Sequence, residues 1–182
     1  MLFSFAHTVL PGSGDLANGL LDPIFTPAHL MLLFGLGLWL GQRQPLVLLR
    51  PVLAFMIPAT IGFGLNFAPA NPLPLRPVIA ALALVAGGLV AMEARGSRWL
   101  DLGVFALSGA AIALDSRPEA TSLQSALTLS IGTWISLAVL LVNIAFYVSL
   151  LPQKQWIRIG LRIAGSWLFA ISLLLVAFAL RR

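Results

Sequence analysis

Cysteine is absent from the 182 residues, so the chain has no disulfide, no thiolate metal ligand and no cysteine nucleophile. Charge is scarce: 9% of residues are Asp, Glu, Lys or Arg, against roughly 25% in an ordinary soluble domain. With two histidines and six acidic side chains, the chain is poor in the donors from which transition-metal sites are built. No Ser/His/Asp set, phosphate-binding glycine loop or paired-carboxylate motif occurs, and the chain is read as non-enzymatic. The net charge of +5 comes from cations scattered singly at segment ends, without the basic face that nucleic-acid binding requires.

What the chain has in excess is apolar surface: 59% hydrophobic residues and a mean hydropathy of +0.98. A water-soluble globule of this size would leave contiguous apolar patches exposed, so the natural solvent is lipid. At roughly 20 apolar residues per crossing, there is room for about six helices. Apolar stretches at 16–41, 46–68, 75–95, 98–115, 122–151 and 155–180 supply them. Spanning β-strands need about ten residues of alternating polarity, whereas Val78 to Ala91 and Leu168 to Leu180 are apolar all round. The expected fold is all-α, a polytopic membrane helix bundle forming one integral membrane domain over 1–182. Short loops make consecutive helices antiparallel neighbours.

Lysine and arginine are retained on the cytoplasmic side of short loops. The odd loops carry seven (Arg43, Arg50, Arg95, Arg98, Lys154, Arg158, Arg162), and the opposite side four (Arg76, Arg117, Arg181, Arg182). This places both termini on the periplasmic side of a bacterial inner membrane. Met1 to Leu10 is too short for a complete signal peptide, and Phe5-Ala6-His7 is read as a leader remnant. Trp39, Trp99 and Trp156 fall at span ends as interfacial anchors, with Trp134 and Trp167 deeper. Small residues recur four apart at Ala83/Gly87/Ala91, Ala106/Ala110, Gly132/Ser136 and Gly160/Ala164, a spacing that lets membrane helices approach closely.

The first span differs from the rest. Pro23 and Pro27 each remove a backbone donor, so this helix is expected to break there, bringing Asp22, His29 and freed backbone groups together at membrane depth. Such a break is the usual make-up of a transporter binding region; a short re-entrant helix followed by a spanning helix capped at Thr26 and Pro27 is the plainer alternative. His29, the one histidine inside a span, is read as a satisfied core residue. Glu93, Asp101 and Arg162 are expected to serve structural pairing rather than a proton relay, with Arg162 reaching the interface or pairing with either acid. No cofactor is predicted. The apolar faces have room for a lipid, quinone or pigment, without a residue that selects one.

The stretch from His7 to Gln42 resembles the N-terminal signature of the HupE/UreJ family, small bacterial membrane proteins linked to nickel supply for hydrogenase and urease. In that family a histidine follows a cleaved leader, then a His-Pro pair, and six residues later an Asp-His pair opening an apolar helix. Phe5-Ala6-His7-Thr8 fits the leader junction, Asp22-Pro23 stands where His-Pro is expected, Ala28-His29 stands where Asp-His is expected, and Leu36-Gly37-Leu38-Trp39 continues the match. The family's histidine-rich run of the fourth span falls on Ser108-Gly109-Ala110-Ala111-Ile112, which holds none. The histidine of the fifth span is missing from Thr133-Trp134-Ile135-Ser136-Leu137, and the acidic residue before the third span falls near Arg76. Of the ligands the resemblance implies, His7 and His29 remain.

Two functions follow as expectations. The first is a non-catalytic accessory subunit or assembly factor of a larger membrane complex, whose partners are membrane lipids and other membrane-protein subunits. The alternative is a permease or delivery protein for nickel, cobalt or another divalent metal, using His7, Asp22 and His29 around the broken first helix.

Overall fold

The computed structural model describes residues 14–68, 74–94, 96–118 and 122–181. They form seven helices: α1 (Asp15–Phe25), α2 (Pro27–Gly41), α3 (Leu49–Leu65), α4 (Arg76–Ala91), α5 (Arg98–Asp115), α6 (Leu123–Ser149) and α7 (Gln155–Leu180). No strand occurs among the described residues, as the all-round apolar segments require.

Thr26 is where the expected first span breaks. Preceding a proline, it is pushed into extended backbone (ψ 100), and Pro27 then starts α2 at a position whose N–H needs no partner. The axes of α1 and α2 differ by 71°. Pro23 lies inside α1 rather than ending it.

By length and composition α6 and α7 can each cross a membrane, and the bent α1–α2 pair can supply a third crossing. α3 and α4 are apolar but shorter, at 17 and 16 residues, so the expectation of six full-length spans is reduced to these. The shortening has local causes. Arg43-Gln44-Pro45 holds the chain out of helix until Leu49. Glu93, with φ 50, stops α4 in a left-handed turn: its N–H reaches Val90 O at 3.1 Å, and the Ala94 N–H reaches Leu89 O at 2.9 Å. This closing motif usually takes glycine at that position.

α2 is the hub. It packs against α4 and α6 along its length and touches α1, α5 and α7. Ten of its fifteen residues are buried, including Leu32, Leu33, Leu36 and Trp39. Lipid gives helices no hydrophobic reason to associate, so the pairs rest on close backbone approach. At the α1–α6 crossing a Cβ on Gly19 would collide with the Leu129 carbonyl, and one on Gly132 would stand 2.6 Å from Leu16 O. At the α3–α5 crossing Gly109 lies directly on the Phe55 carbonyl. α4 and α7 meet through Gly87 and Gly165. Gly160 has open space around it and makes no such crossing.

The Gly109 contact yields a test. Gly109→Val must push Phe55 and α3 away, an overpacking cost of at least about 1–3 kcal/mol. A lowered thermal midpoint in mild detergent is expected, whereas Gly64→Ala, with nothing within 4 Å, leaves the midpoint unchanged or raises it.

Candidate functional site: a buried imidazole–carboxylate pair

α2 carries His29 in its first turn, just past the break, and the side chain is completely buried. Asp115, the last residue of α5, meets it: Nε2 and Oδ2 are 3.1 Å apart, with 12% of the Asp115 side chain exposed. A carboxylate can only accept here, so Nε2 carries the hydrogen, and in the neutral imidazole Nδ1 presents its lone pair. Nδ1 is buried and has no hydrogen-bond partner among the described residues. A carboxylate that fixes the histidine tautomer while the other nitrogen stays open is how metal-binding imidazoles are commonly held.

Asp22 stands on the other side of the break, in the last turn of α1, where its carbonyl accepts the Thr26 N–H at 3.0 Å. His7 lies outside the described residues. Among the described residues no group of three or more His, Asp or Glu side chains is gathered tightly enough to cage an ion.

Two further acid–arginine pairs lie at the opposite end of the bundle, and in both the arginine is one other than Arg162. Asp101 receives both terminal nitrogens of Arg43, from Nη2 to Oδ1 at 2.8 Å and from Nη1 to Oδ2. The Arg43 guanidinium also lies 4.2 Å from the centre of the Trp39 ring. Trp39 stacks on Phe105 and donates Nε1–H to Ala94 O at 2.9 Å.

Glu93 takes Arg158, which donates Nε to Oε1 at 3.3 Å and Nη2 to Oε2. Arg162 donates Nε to the Ala91 carbonyl at 3.0 Å and adds a weaker field at Glu93. In the α4–α5 connection, the hydrogen bond from Arg158 is the main cause that holds the Glu93 carboxyl below its ordinary range. The contact's stabilisation is therefore present above that ordinary range and lost as pH falls through the lowered value.

Arg43, Glu93 and Arg158 border an open polar cleft of about 250 Å³, to which the connections after α2, α4 and α6 all contribute. Those are the three arginine- and lysine-rich odd loops. Sequence reasoning missed Asp115 as the partner of His29. The available signal was a matched spacing: Arg43 follows His29 by fourteen residues, and Asp115 follows Asp101 by fourteen.

Removing one partner of the buried pair strands the other. Asp115→Ala is expected to cost about 1–3 kcal/mol. His29→Leu combined with Asp115→Leu is expected to cost less than the two single changes together, read from unfolding midpoints of all four proteins in one detergent.

No curated protein and no solved structure matches the chain. The sequence model of the HupE / UreJ protein family matches residues 1–175. That match covers the broken first helix, the hub α2 and the His29–Asp115 pair, and the chain belongs to the HupE / UreJ family.

Proposed function

We propose that the chain is a non-enzymatic, multi-pass membrane protein that takes up and hands on a small divalent cation, as a permease or delivery protein in metal-linked physiology. The observation that carries this reading is the open Nδ1 of His29, buried beside the α1–α2 break, with its tautomer set by Asp115. Family membership supports the metal connection, since HupE/UreJ proteins are linked to nickel supply. The cation is cargo here. His29 offers one donor, and Asp22 across the break supplies a carboxylate for a cation arriving from the α1 side.

The topology in this proposal has six crossings, counting α1–α2 as one. α3 and α4 span about 24–26 Å at 1.5 Å per residue, short of the ~30 Å hydrocarbon core, and the bilayer thins around them. The clustering of the three arginine- and lysine-rich connections around one cleft supports placing that end in the cytoplasm and both termini outside.

A second reading, a stable accessory subunit of a larger membrane complex, has α7 in its favour. This helix buries Gly165, Leu168 and Ser172, while Trp167, Leu174 and Phe178 turn outward.

Nickel bound per purified chain separates the two. A stoichiometric ion is expected in the parent, lost in His29→Ala, and held about 10–100-fold more weakly in Asp115→Asn. A parent that binds no nickel, cobalt or copper, and leaves mild detergent in one stoichiometric assembly with other membrane subunits, would sink the cation reading.

A further inference from the structure

The two polar pairs of α5, the His29–Asp115 hydrogen bond and the Arg43–Asp101 ion pair, share one register. His29 faces Asp115, Trp39 stacks on Phe105, and Arg43 grips Asp101. Each step along α2, and on to Arg43 two residues past its end, is matched by an equal backward step along α5. Continued by residue number between these contacts, that register puts Leu32 level with Ile112 and Leu36 level with Ser108, all four of them buried. On both helices the positions follow the three-four spacing of an antiparallel heptad seam. The seam is polar at both ends and apolar between them, except at Ser108. That side chain is fully buried, and its Oγ has no hydrogen-bond partner among the described residues.

This seam is also where the bundle is least tightly knit. α1, α2, α4, α6 and α7 are bound to one another by close backbone crossings: Gly19 and Gly132 between α1 and α6, Gly87 and Gly165 between α4 and α7, Gly35 on Ala86, and Gly41 on Ala145 O. α3 and α5 form their own unit through Gly109 on Phe55, Gly62 on Ala113, and the hydrogen bond from Asn66 Nδ2 to Ala113 O at 2.7 Å. Between the two bodies the backbones approach only sparsely. The union is made by side chains: one apolar core that holds Phe55, Phe105 and Ile112 together with Leu32, Leu33 and Leu36, the His29–Asp115 and Arg43–Asp101 pairs, and the hydrogen bond from Trp134 Nε1 to Thr60 Oγ1 at 3.0 Å.

We propose that the α2–α5 seam is the path the cation takes, with His29–Asp115 and Arg43–Asp101 as its two gates and the Ser108 hydroxyl as the polar waypoint between them. The α3–α5 unit rocks against the five-helix scaffold, releasing one of these pairs while the other stays closed. Fourteen residues at 1.5 Å separate the gates by about 21 Å, most of the thickness of the hydrocarbon core. The polar cleft of about 250 Å³ beside Arg43 is the aqueous mouth of the inner gate. Two bodies joined by side-chain packing and a few polar contacts, each tight in backbone contact within itself, are what shear motion requires. This proposal rests on the permease reading for its cargo, but the gates can be tested without any cargo.

The parent chain has no cysteine, so Ser108→Cys gives a single thiol midway along the seam, with Leu36→Cys as a second reporter should the first fail to fold. Labelling by a charged, membrane-impermeant thiol reagent is followed in right-side-out and inside-out vesicles. With both gates intact, labelling is expected to be slow from either face. Asp101→Asn is expected to speed it at least fivefold from the Arg43 face alone, and Asp115→Asn likewise from the opposite face alone.

Thiols that stay unlabelled in every variant, or that respond equally from both faces, would overturn the gated seam whatever the protein transports. Face-specific labelling uphold it, and uptake of nickel(II) by the same vesicles then judges the permease reading separately. Labelling as expected without nickel uptake retains the gates and rejects nickel as the cargo.

Discussion

Close backbone contact between helices is the constraint on which this bundle rests. Lipid is as apolar as leucine, so burying a side chain against a neighbouring helix gains little over burying it in acyl chains, and association falls to van der Waals contact and a few polar bonds. Glycine is the residue that lets two backbones meet. Its positions divide the molecule: where glycines stack, at α1–α6, α3–α5 and α4–α7, the helices are joined along their length. Where they do not, between α2 and α5, side chains must reach across. Every ionisable contact that joins α5 to α2 sits on that wider seam.

The same constraint explains why so few charges are present and why Asp101, Asp115 and Glu93 each meet a basic side chain. A carboxylate or guanidinium near the hydrocarbon is costly unless it meets its complement or reaches water. Arg43 does three things at once: it pairs with Asp101, lies over Trp39, and borders the open cleft. His29 and Asp115 have less water, and the imidazole is left with one unspent nitrogen. A buried lone pair beside a broken helix is a poor way to stabilise a fold. Glu93 shows a related compromise. It occupies a left-handed turn that costs a non-glycine residue of order 1–3 kcal/mol, and its pairing with Arg158 offsets part of that.

Much of the architecture was legible because it follows from local rules. The break at Thr26 was written in Pro23 and Pro27, though Pro23 is carried inside α1 with Asp22 still helical, and it is Pro27 that sets the boundary by turning Thr26 extended. Of the small-residue spacings, Gly87 and Gly132 mark true crossings. Gly160 faces open space, and the crossing glycine of α7 is Gly165, five residues further on. A four-residue repeat reports which side chains share a helix face; it carries nothing about which neighbour that face meets. The same gap hid the partners of the acids: Glu93, Asp101 and Arg162 all fall near span ends, which suggests pairing, yet Asp101 is claimed by Arg43 and Glu93 by Arg158.

The sequence by itself determined the solvent, the helical class, the place of the break and the side on which positive charge collects, because each is set by composition or by a residue's effect on its nearest neighbours. Only the tertiary structure decided that Asp115 completes His29, that α3 and α5 pair more closely with each other than with the rest, and that two polar pairs bracket one seam. Those depend on which helices lie side by side, and that choice is made by the fit of backbones across the bundle, between residues as far apart in the chain as His29 and Asp115.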